Sequence, residues 1–332
     1  MDKQAVSSND VWRRVKTFKE TGTEELVLGP GALLEAAELL LRAFPLSGSW
    51  LSELRDSDLN SVRAVMGLHA ARYQALTQSQ NRLDRETIIA LLALVHHSHP
   101  QAVPEVFRSR VNEHAQRHAG ISLLAAAALT AQAKTMYALF QATGNLAILD
   151  ATIAARKRAA DLTPAAHPYR AAYLSNLSGT LQQRFQQIGT IADLMAGVKA
   201  AESTVATASP DDPSYATIMS TAGTAFAISF QHSGDLADLN EAISAFRKAA
   251  DTLPGESRAS GPILSNLSGA LRLRFDRLGS ISDLEEAIDT GRSALSSMQQ
   301  SHPQHSTCQY NLGGALASRY ATHGGTFCQG AR

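Results

Sequence analysis

A glycine recurs every 45 residues through the second half of this chain, and this spacing constrains the fold more than any other feature. The glycines are Gly144, Gly189, Gly234, Gly279 and Gly324. A fixed period of this length is typical of repeat proteins, in which each unit buries its apolar face against its neighbours. Such arrays expose an extended surface and seldom carry chemistry of their own. The period therefore predicts a helical array that works by binding.

The residues around each glycine predict a corner between two helices. The residue after the glycine is a good helix N-cap in the four complete units, as Asn145, Thr190, Asp235 and Ser280. An acidic residue follows three positions later in three units, as Asp193, Asp238 and Asp283. A carboxylate there can complete a capping box. The glycine is expected to end the preceding helix in a left-handed conformation, which residues with a Cβ resist.

Both helices of each unit carry an apolar stripe with the 3.6-residue helical period. The first helices carry Leu177, Leu181, Phe185 and Ile188; Ala222, Phe226 and Phe230; Leu267, Leu271, Phe275 and Leu278; and Leu312, Leu316 and Tyr320. The second helices carry Ile191, Leu194 and Val198; Leu236, Leu239 and Ile243; and Ile281, Leu284 and Ile288. Because neither helix can bury its stripe alone, the hairpins are expected to stack. Pro164, Pro210 and Pro254 are expected to end the second helices.

An arginine precedes the stripe aromatic in three units, as Arg184-Phe185, Arg274-Phe275 and Arg319-Tyr320. We expect the aromatic ring to fill the seam between hairpins while the arginine points outward, where it could meet a carboxylate on a neighbouring unit. The alternative is a cation–π site for a ligand.

The pattern resembles the tetratricopeptide repeat. Residues 266–271, Asn-Leu-Ser-Gly-Ala-Leu, match its first helix, and residues 283–288, Asp-Leu-Glu-Glu-Ala-Ile, match its second. The ordinary repeat has about 34 residues, and the longer units here resemble arrays of bacterial and fungal CHAT proteins, which usually precede a caspase-like peptidase domain. The resemblance covers about residues 125–323. It implies an all-α solenoid of helical hairpins with TPR-like right-handed superhelical winding.

The resemblance also implies a function. It favours a non-enzymatic scaffold that binds a peptide or protein segment on a concave helical surface. The alternative is the sensor array of a CHAT caspase-like peptidase system whose catalytic domain is missing from this chain. A continuing reading frame that encodes a His/Cys α/β domain would favour the alternative.

In tetratricopeptide arrays, residues of the first helix that lie off the apolar stripe contact the ligand. Carried over by register, the predicted contacts are Ser175, Gly179 and Gln182; Ser220, Thr224 and Ala227; Ser265, Gly269 and Arg272; and Tyr310, Gly314 and Ala317. This small, mostly polar set with one positive charge favours an extended peptide held by hydrogen bonds. The other interpretation is that these residues are small so that neighbouring helices can pack closely.

No constellation of residues predicts catalysis. His323-Gly324 and Cys328-Gln329-Gly330 resemble the His-Gly and Cys-Gly elements of caspase-like proteases. Those elements lie about 50 residues apart in that fold, whereas here they are five residues apart. The sequence therefore predicts no catalytic residue, and no cofactor is expected.

The densest histidine group is His96, His97, His99, His114 and His118. His114 and His118 have the i, i+4 spacing that can chelate a metal on a helix. Glu113 precedes His114, so the H-E-x-x-H pattern of metalloproteases is not met. The favoured interpretation is a loop and helix surface rich in polar rings, with no metal site.

Composition limits the partners. The chain has 332 residues with 30 basic and 30 acidic side chains, and this balance argues against nucleic-acid binding. The segment Ala119–Ala131 is too short to span a bilayer, so no membrane partner is expected. Two cysteines and a polar start predict a cytoplasmic protein. A protein or peptide is the expected partner, with self-association through the uncapped C-terminal end as a further option.

The sequence divides into four regions. Residues 1–25 are predicted as a poorly ordered lead, and residues 121–324 as the array. Residues 26–120 form an irregular helical region, in which helices are predicted at Leu33–Phe44, Asp58–Gln78, Glu86–His97 and Pro104–His118. The last two helices fit a decayed repeat. Residues 325–332 depart from the period, which favours a truncated array over a natural open end.

Overall fold

The computed structural model describes residues 5–46, 54–78, 80–253 and 260–329, with side chains to residue 322. Within those ranges the chain forms fifteen α-helices and one short 3₁₀ helix at Pro100–Ala102, and no strand. Most helices that follow one another in the chain pack against each other. The predicted all-α fold of stacked helical hairpins is confirmed, while right-handed superhelical winding stays a prediction.

The chain divides into two compact units, residues 1–173 and residues 174–332. The first unit contains α1 Ser8–Thr21, α2 Glu25–Leu28, α3 Pro30–Ala43, α4 Asp56–Ala75, α5 Arg82–Ser98, α6 Glu105–Arg117, α7 Ile121–Thr143 and α8 Leu146–Asp161. The four helices predicted between Leu33 and His118 correspond to α3, α4, α5 and α6. Helix α7 packs on α5 and α8 packs on α3, so the first hairpin of the predicted array belongs to this unit.

The N-terminal lead is not poorly ordered where the structure describes it. Helix α1 begins with a capping box in which the Asp10 carboxylate accepts the Ser7 amide at 2.8 Å. The helix packs on α4, and its Val11 and Val15 are buried. Trp12 packs so closely on Gly67 that a Cβ at that glycine would lie 2.6 Å from the indole ring. The prediction for residues 1–25 is therefore wrong over residues 8–21, because burial against α4 orders a helix that is polar on average.

A charged network lies in the core of the first unit. His69 is fully buried, with Nδ1 2.5 Å from Asp84 Oδ1 and Nε2 2.5 Å from Gln132 Oε1. Arg72 Nε donates to the same Asp84 oxygen at 2.8 Å. Burial by itself would raise the pKa of Asp84, but the hydrogen bond from His69 and the charges of His69 and Arg72 outweigh it and lower that pKa. The network joins α4, α5 and α7 through polar contacts.

By length and composition alone, helix α7 is long and apolar enough to cross a membrane. No other helix among the described residues meets this criterion. Most of its apolar window is buried inside the protein. It packs against α5 and α8, and it contributes Gln132 to the buried network. These contacts fit a core helix, whose composition passes the same test.

The second unit contains the regular repeats. Helix α9 Arg170–Ile188 enters it, followed by α10 Ile191–Thr207, α11 Tyr215–Ser233, α12 Leu236–Asp251, α13 Ser260–Leu278, α14 Ile281–Ser297 and α15 His305–Gln329. The centres of the predicted stripes form its core, which includes Phe226, Phe230, Leu239, Ile243, Leu271, Leu284 and Ile288. Helices α10 and α11 pack together, as do α12 and α13. The stacking predicted from the stripes is therefore present within this unit.

The stripe residues next to the corners are not buried. Ile188, Ile191, Leu278 and Ile281 are 43 to 57 % exposed, and Tyr320 is 80 % exposed. The four corner residues lie within two positions of a corner glycine, at the end of each hairpin. The 3.6-residue period marks which face of a helix points inward, but it does not mark where along the helix the neighbouring hairpin stops.

Four corner glycines have the predicted left-handed conformation. Their φ angles are +65°, +77°, +74° and +68° at Gly144, Gly189, Gly234 and Gly279. Each amide donates at 2.7 Å to the carbonyl four residues earlier. Gly324 is different, because α15 continues through it without a corner. The next residue, Gly325, has no side chain to cap a new helix.

The four predicted N-caps are confirmed, and three of their side chains bond to the following backbone. Asn145, Asp235 and Ser280 accept amide hydrogen bonds, whereas Thr190 makes none with its side chain. Both α8 and α10 end three residues before the proline that was expected to end them, and Pro254 lies outside the described residues.

The acidic residue three positions after each cap does not complete the predicted capping box. It accepts a hydrogen bond from the preceding helix instead. Arg184 Nε donates to Asp193 at 2.8 Å, and Arg274 holds Asp283 with two bonds of 2.7 and 2.8 Å. In the hairpin between them, Ser229 donates to Asp238 at 2.6 Å. The side chains of Arg184 and Arg274 are only 24 and 19 % exposed, so the prediction that they point outward is wrong. Each acid ties the second helix to the first, nine residues earlier in the chain.

Gly279→Ala is expected to lower the free energy of unfolding by about 1–2 kcal/mol, because a side chain disfavours its positive φ. No atom lies within 4 Å of the added Cβ, so the loss would come from the backbone alone. Gly313→Ala is the matched control, since Gly313 is exposed inside α15 with equally open surroundings. There alanine is expected to raise stability by about 1 kcal/mol. Thermal melts followed by circular dichroism would contradict the corner assignment if both variants shifted in the same direction.

Candidate functional site

A cleft of about 320 Å³ opens on the first helices of the second unit. Its walls come from α11 and α15, and α13 lies between them. The lining residues are Thr224, Ala227, Ile228 and Gln231 of α11; Phe246 of α12; Asn266, Gly269, Ala270, Arg272 and Leu273 of α13; and Thr307, Tyr310 and Asn311 of α15. Five residues predicted as ligand contacts lie here together: Thr224, Ala227, Gly269, Arg272 and Tyr310.

Small residues let the helices of the cleft approach each other. A Cβ at Gly269 would lie 3.0 Å from the amide nitrogen of Asn311, and a Cβ at Gly314 would lie 3.2 Å from Arg272 Cδ. Both distances are tighter than ordinary contacts. At Gly179 an added Cβ would meet Thr221 at 3.4 Å, which is ordinary van der Waals contact. The two glycines of α13 and α15 therefore serve helix packing, as the second interpretation of the sequence expected.

Arg272 is the cation of the cleft. Its Nη1 donates to Asp276 Oδ2 at 2.7 Å, and its side chain is 20 % exposed. Its Nε has no hydrogen-bond partner among the described residues. A buried donor without a partner costs free energy, which a ligand oxygen could recover. Tyr310 stands at the edge of the same cleft and is 74 % exposed.

Three predicted contacts are buried and do not face the cleft. Ser175, Gln182 and Ser265 are 7, 6 and 1 % exposed. Gln182 Nε2 donates to Ser178 Oγ at 3.1 Å and to the Thr221 carbonyl at 3.3 Å, so it links α9 to α11. The assignment by register is wrong for these residues, because the repeat register does not determine how far each helix is rotated about its own axis.

The remaining predicted positions lie elsewhere on the first helices. Gly179, Ser220 and Gly314 are partly buried, and Ala317 is exposed. None of these four is part of the cleft lining.

The sequence prediction missed the asparagines of the cleft. Asn266 and Asn311 occupy the same slot of successive repeats, 45 residues apart, and both line the cleft. Asn311 Nδ2 donates to the Ser265 carbonyl at 3.2 Å. The Oδ1 atom of Asn311 can then accept a hydrogen bond from another partner. The same slot holds Asn176 and Thr221 in the preceding repeats. A polar residue at the same slot of four successive repeats was the signal that could have identified these positions.

The candidate catalytic and metal-binding residues of the sequence form no site among the side chains that the structure describes. No group of three or more His, Cys, Asp or Glu side chains that could hold a metal occurs among the residues that the structure describes. His323 and Cys328 lie beyond the last described side chain. His118 is buried and His114 half-buried, so the predicted surface of polar rings is wrong for this pair.

The fold and the cleft define a class of protein: stacked helical hairpins with a small, mostly polar cleft on their first helices. A comparison with models of known protein families finds no matching family, and a comparison with curated proteins finds no match. The likeness to tetratricopeptide and CHAT-associated arrays therefore rests on the sequence motifs alone.

Proposed function

We propose that this protein is a non-enzymatic, tetratricopeptide-like scaffold of the cytoplasm that binds an extended peptide segment of a partner protein in the cleft between α11 and α15. The observation that carries the proposal is the position of Arg272. It places one cation, with an unpartnered Nε, among hydrogen-bonding side chains of three successive repeats.

The lining chemistry favours a peptide over a large apolar ligand. Thr224, Gln231, Asn266, Thr307 and Asn311 offer donors and acceptors along the cleft. An extended peptide presents amide and carbonyl groups at regular intervals, which such side chains can bind. Arginine binds carboxylates well because its guanidinium donors match their geometry. The expected segment therefore carries an acidic residue opposite Arg272.

A displayed library of random peptides, panned against the whole protein, tests this. We expect the enriched peptides to share an acidic residue and to bind at least tenfold more weakly to Arg272→Gln and to Tyr310→Ala. The first change removes the charge, and the second removes exposed contact area at the edge of the cleft. Fluorescence polarisation with synthesised peptides gives the affinities.

Arg292→Gln is the matched control. Arg292 also pairs with an aspartate of its own helix, Asp289 at 3.8 Å, but it does not line the cleft. Its substitution is expected to leave peptide affinity unchanged. Affinities that respond equally to Arg292→Gln and Arg272→Gln would contradict the proposed site, as would a library that yields no enriched peptide.

A further inference from the structure

A second cleft, of about 420 Å³, lies in the first unit, away from the residues of the proposed peptide site. Its lining comes from α5, α6, α7, the segment before α9 and the first turn of α9. Its volume lies within the range of small-molecule sites in proteins. In the sequence, only the spacing of His114 and His118 pointed to this region. The proposed function uses none of the residues that line this cleft.

Aromatic rings form one side of this cleft. The ring centroids of His114 and His118 are 4.6 Å apart, and those of His118 and Tyr169 are 4.9 Å apart. Tyr173 continues the row at 6.4 Å from Tyr169. Each neighbouring pair is tilted by 33° to 43°. Such a row offers ring faces and edges to a further planar ring.

The two imidazoles carry unused hydrogen-bonding atoms. His118 is 8 % exposed, and its Nδ1 has no partner among the described residues. The same holds for Nε2 of the half-buried His114. Buried polar atoms without partners are rare in proteins and often mark a missing ligand or water. His118 therefore supplies a built, unfilled polar contact in the wall of the cleft.

Both imidazoles are neutral near pH 7. Burial, helped by the charge of Arg117, lowers the pKa of His114 to about 4. Burial, helped by His114, Arg117 and His167, lowers the pKa of His118 to about 4. A neutral imidazole keeps one donor and one acceptor. Surroundings that resist a proton on these rings also disfavour a metal dication, so the rings are better suited to a ligand without positive charge.

The charged side chains of the lining are two cations and one acid. Arg117 and Lys134 are half-exposed, and Glu86 lies 3.8 Å from the Lys134 ammonium. The partner of Arg117 is Glu113, at 3.5 Å, which is 69 % exposed and not part of the lining. The excess of positive charge favours an anionic group on the ligand.

We propose that this cleft binds a small aromatic anion, with its ring against Tyr169 and His118 and its carboxylate or phosphate near Arg117 and Lys134. The free nitrogen of His118 would bond to a polar atom of the ligand. The site lies in the first unit and is independent of the peptide cleft.

Calorimetric titration of the whole protein with 1-naphthoate and, separately, with adenosine monophosphate tests the two sources of such an anion. We expect at least one of them to bind with one-to-one stoichiometry. Naphthalene methanol or adenosine, which lack the anion, should bind at least tenfold more weakly, as should acetate or inorganic phosphate, which lack the ring. Absence of binding by both aromatic anions at millimolar concentration would overturn the proposal.

Three variants locate the site. Tyr169→Ala removes the ring, and His118→Phe keeps a ring but removes the nitrogens, so each is expected to weaken binding at least tenfold. Tyr137→Ala is the matched control, because Tyr137 is a half-buried tyrosine of the same unit that stacks on Arg156 outside the cleft. Lys134→Gln removes a half-exposed cation and is also expected to weaken binding, so it decides the outcome if the ring variants fail to fold. Binding that is unchanged in Lys134→Gln, or in either ring variant that folds, would place the ligand elsewhere.

Discussion

Asp84→Ala is expected to lower the free energy of unfolding of the first unit by about 3–5 kcal/mol, because it leaves the charge of Arg72 uncompensated in the core. Asp84 is 1 % exposed and accepts from both His69 and Arg72. A loss of this size is a large share of the total stability of a typical domain, about 5–15 kcal/mol. The variant is therefore expected to be partly unfolded under mild conditions.

Tryptophan fluorescence in a urea titration measures this effect. Trp12 lies in α1 of the first unit, and the only other tryptophan of the sequence, Trp50, falls within the same residue range 1–173, so the signal follows that unit. Glu20→Ala is the control, because Glu20 forms an exposed pair with Lys16 at 3.8 Å. Exposed pairs contribute about 0–1 kcal/mol. Equal midpoints for Asp84→Ala and Glu20→Ala would show that the network does not stabilise the fold.

The same network predicts a dependence on acid. The folded pKa of Asp84 is lowered, so its stabilising contribution is fully present above the unfolded pKa of about 3.9. That contribution is lost as the pH falls through the lower folded value. Asp84→Asn removes the titrating group, so its stability should change less than that of the parent protein across this acidic range. A parallel pH dependence of the two proteins would contradict this assignment.

Gly223→Ser is expected to destabilise the second unit by about 1–3 kcal/mol through overpacking. A Cβ at Gly223 would lie 2.7 Å from the ring of Phe246, which is fully buried. Phe246→Ala alone is expected to cost about 3–5 kcal/mol, because it opens a cavity in the core. Chemical denaturation followed by circular dichroism measures both changes.

The preceding repeat suggests a double variant that should recover part of this lost stability. The slots of Gly223 and Phe246 hold Ser178 and Ala201 one repeat earlier. There the Ser178 hydroxyl donates at 2.8 Å to the carbonyl of Gly197 on the second helix. The double variant Gly223→Ser/Phe246→Ala rebuilds that pair, so its loss should be smaller than the sum of the single losses by about 0.5–3 kcal/mol. Strictly additive losses would show that the two residues do not share one space.

Local sequence signals determined the class of fold. A left-handed glycine, a polar cap and an apolar stripe act within a few residues of one another. The corner at Gly279 and Ser280 could therefore be predicted from the sequence alone. The same signals explain why Gly324, followed by Gly325 without a capping side chain, ends no helix.

The cleft was only partly predictable. The repeat register placed Thr224, Gly269, Arg272 and Tyr310 on one side of the first helices, and the structure brings them together. The same register also selected Ser265, which is 1 % exposed. If a helix turns about its axis by the angle between two successive residues, a residue that faces the cleft is replaced by one that is buried. The rotation of each helix depends on the side chains of the adjacent hairpins.

Sequence by itself thus determined the helices, their corners and the all-α class of this protein, because the interactions that encode them are short in range. Only the tertiary structure decided which polar residues meet. His69, Asp84 and Gln132 come from three helices. Their contacts carry no periodic signal, since they depend on distances between segments that come together only when the core is packed.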